Sequence, residues 1–563
     1  MNKTVLALLA FATLTAFSAG FANSQVVLAP TSPQIGSSNP VSAQPLVPRP
    51  TTKPCTVKLF SNLAFEGFTP ASFGYTPPAG CPGPWAKVVF TADFTVTAGV
   101  QYDRTAAFYL GHANIFYGTT AEPGASFSPS WHVERDVTDL SAIFKSDQVG
   151  EANLGNLVNS TYTGIIYANA ALEFYPSNFT NPAPRVPDMV VPVNGTGGDA
   201  GTLNTTSSTI SQALNLPENV EAVYLDVIAQ NQSNDEFFYF DVPSNEANNL
   251  LSFGGTAFRE TEITLDGNPA GVAPVYPWIF TGGIDPYLWR PIPANQTLDF
   301  KAYRVNLTPF AGMLADGQTH TVALSVFNAN SYFLATANLL VYLDHRSQKV
   351  TGGVEENTLS AAPTPQTQEN ISFNAATGDY TGTLSVTSTR QFTIRGYVDT
   401  SQGRVETTLD EKVDFSNTQQ VDVNPTTDSP DTQNIQQLTT VDAHVTTRRG
   451  QIASTSEERY VYPLKINYTF AYNTAGAYYY QNTSVDQQYK LTKMQRLFGM
   501  RPLTSRTFEE TQSQDDLNLN TFAPSNTNSS QTYRYNDSLG NCYSETLTSA
   551  SNVLTDATSR CSH

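Results

Sequence analysis

Lys87-Val88-Val89-Phe90-Thr91-Ala92-Asp93-Phe94-Thr95-Val96 decides the fold class. Val88, Phe90, Ala92, Phe94 and Val96 alternate with mostly polar neighbours. That two-residue period belongs to a strand buried on one face. Working outward, strand-like runs recur at 105–109, 164–175, 220–229, 237–242, 261–265, 320–327 and 337–343. Turn residues such as Asp266-Gly267-Asn268 and Asp316-Gly317 separate them. Helical spacing is confined to a short piece at 136–144. Alternation returns at Leu384, Val386, Phe392 and Ile394, and again from Val461 to Phe470. The pattern predicts an all-β chain of antiparallel sandwiches, two of them side by side with a ligand-sized cleft between.

Residues 1–22 form an export signal, with Lys3 as its charged start, an apolar run from Val5 to Phe17, and small residues Gly20 and Ala22 at the cut. Residues 23–54 are a Pro/Ser/Thr-rich arm without periodicity, 55–192 the first sandwich and 205–350 the second. Residues 351–372, with Pro363 and Pro365, read as a linker, and 373–563 as a C-terminal β-rich domain in which 412–440 look loop-like. The mature chain is expected to be secreted or periplasmic, and monomeric.

Charge narrows the partners. There are 30 basic against 49 acidic residues, a net charge of −19. Nucleic acid and anionic membrane surfaces both need clustered cations, so neither fits. An uncharged glycan is unaffected. Cys55, Cys81, Cys542 and Cys561 allow three pairings, and local closure favours Cys55–Cys81 with Cys542–Cys561. No GxSxG, HExxH, phosphate-loop or dinucleotide signature is present, and no zinc spacing.

Only 14% of the chain is charged, so acids and bases beside aromatics stand out. In Tyr102-Asp103-Arg104 the arginine favours an ionised carboxylate, as a base requires. Asp235-Glu236 precedes Phe237-Phe238-Tyr239-Phe240, where desolvation raises a carboxyl pKa and suits a proton donor. Thr281-Gly282-Gly283 admits close backbone approach, Trp289 offers a stacking face, and Arg290 can hydrogen-bond a developing oxyanion. Glu122 and Trp131 lie in the loop-like stretch after Asp103 and are candidate substrate contacts. His132 is set aside as structural.

The stretch from Cys55 to about Arg346 resembles the peptide-N-glycosidase A family. The resemblance is carried in order by Tyr75-Thr76-Pro77-Pro78, Trp85-Ala86-Lys87-Val88-Val89, Gln101-Tyr102-Asp103-Arg104, Thr120-Ala121-Glu122-Pro123, Arg135-Asp136-Val137-Thr138, Ala222-Val223-Tyr224-Leu225, Asn234-Asp235-Glu236-Phe237 and Leu288-Trp289-Arg290-Pro291. It implies hydrolysis of the amide between GlcNAc and an asparagine side chain, with N-glycoproteins and N-glycopeptides as substrates and no metal or organic cofactor. Through the distantly similar peptide-N-glycosidase F type it implies two adjacent jelly-roll-like sandwiches with acids at their interface. Its Trp-Asp-Arg word matches Tyr102-Asp103-Arg104, and its Glu-Trp word matches Glu236-Phe237. A third, supporting glutamate of that type is replaced here by Asn169. The resulting expectation places Asp103, Glu236 and Arg290 in catalysis. Arg104, Glu122, Trp131, Asn169, Asp235 and Trp289 are expected to bind substrate. Competing readings are a non-catalytic glycan-binding module and an adhesion protein.

Overall fold

The computed structural model describes residues 33–427, 430–497 and 501–561; the expected export signal lies outside them. The first unit has eight strands: β1 (Cys55–Phe65), β2 (Ala71–Tyr75), β3 (Trp85–Val96), β4 (Thr105–Leu110), β5 (Ala113–Thr119), β6 (Ser130–Asp136), β7 (Gln148–Leu154) and β8 (Ile166–Pro176). They form two antiparallel four-stranded sheets, β1-β8-β3-β6 and β2-β7-β4-β5. This is the jelly-roll order. The alternating residues of β3 are the reason the sheets stack: Val88, Phe90, Ala92, Phe94 and Val96 are all at most 1% exposed. Phe90 and Phe94 meet Phe108 of β4 and Phe116 of β5 at ring separations of 5.6–6.0 Å.

The second unit begins earlier than expected, because residues 189–203 already belong to it. Its strands are β9 (Met189–Val193), β10 (Gly201–Leu203), β11 (Ile210–Leu214), β12 (Val220–Gln232), β13 (Glu260–Leu265), β14 (Asn268–Pro274), β15 (Tyr303–Asn306), β16 (His320–Phe327) and β17 (Tyr332–Leu343). The sheets are β10-β17-β12-β15 and β11-β16-β13-β14. β9 and β10 pair with successive parts of one edge of β17 and together fill the place of a single first strand. With that strand counted once, both units share the same order.

The rest of the chain is one meander: β18 (Thr351–Asn357), β19 (Gln366–Asn374), β20 (Asp379–Thr400), β21 (Gly403–Val423), β22 (Asp431–Arg449), β23 (Ile452–Asn473), β24 (Tyr478–Leu497), β25 (Leu503–Asn518), β26 (Ala523–Asp537), β27 (Cys542–Ala550) and β28 (Val553–Ser559). It makes a single eleven-stranded antiparallel sheet. Phe392, Ile394, Leu409, Val413, Ile435, Tyr462 and Ile466 share a hydrophobic core with the second sandwich, so the sheet is a bracing layer on it.

Four expectations are corrected here. Residues 351–372 are not a linker: β18 and β19 pair with β20 across that span. Residues 412–440 lie largely in β21 and β22. Their alternation is hidden because amides occupy inward positions: buried Asn417 and Gln419 donate to Tyr239 O and Asp241 O at 3.0 Å each. The run 237–242 is not a strand; Ser233–Phe240 is a 3-10 turn, as are Thr138–Leu140 and Ile143–Lys145 within the expected helical piece. Finally, residues 33–50 are not an unstructured arm. They form a strap with no ladder of its own, consistent with its prolines. Gly36 N donates to Leu554 O (2.8 Å), Val41 N to Pro291 O (3.0 Å) and Val47 N to Glu134 Oε2 (2.9 Å). Arg49 then pairs with both Glu134 and Glu173. The disulfides Cys55–Cys81 and Cys542–Cys561 are both present. Among the described residues no helix is long and apolar enough to cross a membrane.

Candidate active site

Four loops converge where the two sandwiches meet. Asp103 lies between β3 and β4, Glu122 between β5 and β6, Glu236 between β12 and β13, and Gly282 to Arg290 between β14 and β15. Asp103 Oδ2 accepts from Gly282 N at 2.8 Å, and Asp103 N donates to Glu122 Oε2 at 3.1 Å. Thr281 Oγ1 donates to Thr120 O at 2.6 Å, tying the second sandwich's loop to the first's. Arg290 Nε donates to Glu122 O at 2.6 Å, and its guanidinium sits 4.7 Å over the Tyr287 ring.

The three carboxyls are electrostatically one cluster. Burial raises Asp103 above its ordinary value, opposed by the Gly282 N–H and the Arg104 charge. Burial and then the Asp103 charge push Glu122 up to about 7, opposed by the Asp103 N–H and by Arg290 and Arg104. Glu236 is pushed up to about 8 by burial and by the charges of Asp103 and Glu122. No described residue hydrogen-bonds its carboxyl, and the charges acting on it, Asp103 and Glu122, both disfavour its anion. The surroundings of the two acids differ: fixed donors oppose the rise that burial imposes on Asp103, while Glu236 keeps its proton through neutral pH.

Gly282 is the pivot of this cluster. A Cβ there would lie 2.2 Å from Glu122 Oε2 and 2.9 Å from Asp103 Oδ1. Gly282→Ala therefore displaces both acids while leaving the cores untouched. The expected result is a loss of about 10²-fold in kcat/KM with little change in Tm, since misplacement of about 1 Å has that effect.

A match to the family described as peptide N-acetyl-beta-D-glucosaminyl asparaginase amidase A covers residues 44–360. The chain belongs to that family. Peptide-N4-(N-acetyl-beta-glucosaminyl)asparagine amidase A of Prunus dulcis is 31% identical over 389 residues, which span 65% of this chain and 67% of that protein. The chain is an enzyme of this amidase class. Solved structures with some likeness include PNGF-II, at 13% identity and a TM-score of 0.35 over 52% of this chain and 66% of that one. Another is PNGase F, a glycosylasparaginase from Flavobacterium meningosepticum, at 12% identity and a TM-score of 0.33 over 52% and 96%. The family match stops before β19, so nearly all of the bracing sheet lies beyond it.

The other expected site residues divide. Trp289 is placed near the acids: its ring walls a cavity of about 320 Å³ shared with Glu122 and Arg290, and its Nε1 donates to Gly283 O at 2.8 Å. Arg104 stacks 3.5 Å over Tyr102 and bonds Gln101 Oε1 at 2.8 Å. It is 6% exposed, and its charge reaches Asp103 from behind. Trp131 is not available to a ligand: like Trp289 it is buried, but it packs inside the first core, stacked on Phe94 at 5.1 Å, and lines neither this cavity nor the one beneath the strap. Its place on β6 explains this: the stretch expected to be a loop is a strand here, and Trp131 is on its inward face. Asn169 lies on β8 and accepts from Asn62 N at 2.8 Å, bridging an irregularity in β1. Asp235 is wholly buried, paired with Arg259 at 2.8 Å and accepting from Asn330 N and Ser331 N. It shapes the turn that presents Glu236 and has no open face for substrate. Arg259, which also pairs with Asp241 at 2.6 Å, was not singled out from sequence. Gly282 was noted for close approach but not as the donor to Asp103.

The bracing sheet fixes both loops of the second sandwich from behind. Ser513 Oγ donates to Leu288 O at 2.5 Å, Gln487 Oε1 accepts from Asn295 N at 3.0 Å, and Gln433 Nε2 donates to Phe240 O at 2.9 Å.

Proposed function

We propose that the chain hydrolyses the amide between GlcNAc and the asparagine side chain of N-glycopeptides and N-glycoproteins. The intact glycan leaves as a glycosylamine and aspartate remains in the peptide. One observation supports this above the rest: Asp103 from the first sandwich and Glu236 from the second belong to one buried carboxyl cluster across the junction, with the Gly282 N–H and the Arg104 charge favouring the anion at Asp103 and not at Glu236. A binding module gains nothing from that pairing. In this reading Asp103 takes a proton from the water that attacks the side-chain carbonyl carbon. The C–N bond breaks as Glu236 delivers its proton to the departing nitrogen. Arg290 offers N–H groups to the carbonyl oxygen as it gains charge, and Trp289 walls the sugar side. Family membership supports the bond class.

The direct test is the mass of a sequon glycopeptide after incubation. Loss of the whole glycan with Asn converted to Asp is expected; retention without cleavage rejects the amidase in favour of binding. Export, read from residues 1–22, is part of the proposal and predicts a mature N-terminus near Asn23 in secreted material.

The pH profile follows from the same groups. Glu236 must hold its proton, so the rate falls as pH rises through about 8. Asp103 must lose its proton, so the rate falls again as pH drops through a value above that of an ordinary aspartate. A bell in kcat/KM with its alkaline limb near pH 8 is expected, its limbs belonging to the cluster as a whole. A rate still rising above pH 9 would remove Glu236 as the acid.

A further inference from the structure

We propose that the cleft beneath the strap binds the outer sugars of a neutral oligosaccharide, extending the site by several residues. This rests on the glycan-releasing reading above. The geometry begins at Glu122, which the Asp103 and Glu236 charges couple into the cluster. The cavity of about 320 Å³ walled by Glu122, Trp289 and Arg290 is also lined by Pro40 of the strap and by Pro293. The same two prolines line a second cavity of about 1250 Å³, running between the strap, β6 and the end of the bracing sheet. The two spaces therefore adjoin, with Pro40 and Pro293 as shared walls.

The size of the larger cavity exceeds the roughly 300–1,000 Å³ of small-molecule pockets, which points to an oligomeric ligand. Its lining carries Tyr533, Tyr535 and Tyr543, all half-buried, with Asp537, Asn541 and Glu545 nearby. Flat aromatic faces beside carboxylate and amide groups suit pyranose rings with their hydroxyls. The lining disfavours anions: Arg49 is already paired with Glu134 and Glu173, and His132 with Asp93 and Glu134. Phosphorylated or sialylated ends are thus poorly matched, and neutral ones well matched. The strap is what makes this a cleft, since Val41 N holds it to Pro291 O and Gly36 N to Leu554 O.

The test uses the full chain and two glycopeptides of identical peptide, one bearing only the two core GlcNAc units and one an extended mannose-type glycan. The readout is the ratio of their kcat/KM values. Tyr535→Ala is expected to lower the long-to-short ratio on the order of tenfold, mainly through KM, and Tyr535→Phe to preserve it. A ratio unchanged in Tyr535→Ala overturns the proposal. Should the parent chain cleave neither glycopeptide, the hydrolytic reading fails separately. Free mannose oligosaccharide titrated by NMR then decides the cleft: broadening abolished by Tyr535→Ala supports it, and no binding overturns it.

Discussion

Asp103→Asn is expected to lower kcat by about 10²–10⁴-fold with the fold intact. Asparagine keeps the shape of the side chain and can still accept from Gly282 N, whose bond to Oδ2 is 2.8 Å in the parent. What disappears is the negative charge that takes the water's proton. The same change removes a repulsion on Glu122 and Glu236, since the Asp103 charge raises both. Both acids should then titrate lower, so the alkaline limb of any residual activity should move to lower pH. Glu236→Gln should give a loss of similar size by removing the donor. The double variant should be little worse than either single one, because residues acting as a unit are not additive. Kinetics on the glycopeptide, with circular dichroism as the folding control, decide the matter. An active Asp103→Asn chain would sink the assignment.

Arg259→Leu is expected to cost about 3–5 kcal/mol of stability, the typical result of stripping one partner from a buried ion pair. Arg259, Asp235 and Asp241 form a triad in which all three side chains are at most 1% exposed. Burial holds Asp241 up to about 8 even with the guanidinium beside it. Without Arg259 both carboxyls face an apolar interior with only the Asn330 and Ser331 amides left for Asp235. The sign of the pH effect follows. A folded carboxyl that titrates above its unfolded value near 4 stabilises the chain at low pH and loses that stability as pH rises. The variant should therefore be closest to the parent near pH 4 and furthest from it at pH 8. Urea midpoints at the two values measure this. Activity should fall as well, because Asp235 anchors the turn whose next residue is Glu236.

Much of this was legible in the chain because strands of the sandwiches bury hydrocarbon on alternate positions, as β3 does. It was illegible wherever polar atoms do the burying. β21 and β22 turn Asn417, Gln419 and Gln437 inward, where they bond to each other and to the backbone of the Glu236 turn. Hydrophobic alternation fades there, and a loop was expected. The strap escaped notice for a related reason: its contacts are backbone amides, side-chain carbonyls and carboxylates far away in sequence. Within the site, adjacency misled. Asp235 and Glu236 are neighbours on a tight turn, so one enters the interior as the other stays half-buried beside Asp103 and Glu122. Trp131 illustrates the converse, since nothing in a loop-like setting separates a core tryptophan from a sugar-stacking one. Asp103, Glu122, Glu236, Trp289 and Arg290 were found because charge beside aromatics is scarce in this chain, and the structure brings all five to one junction.

The shared strand order has a consequence for how the chemistry is divided. Counted along each sandwich, Asp103 and Glu236 occupy the same connection, from third strand to fourth. Glu122 and the Gly282–Arg290 loop likewise occupy matching connections, from fifth to sixth. The centre is thus a meeting of equivalent corners of one repeated plan. Its asymmetry comes from surroundings alone. On one side a backbone N–H and an arginine oppose the rise that burial imposes; on the other no described donor intervenes and the carboxyl is pushed up to about 8. In the proposed reading, two like corners facing each other become a base and an acid.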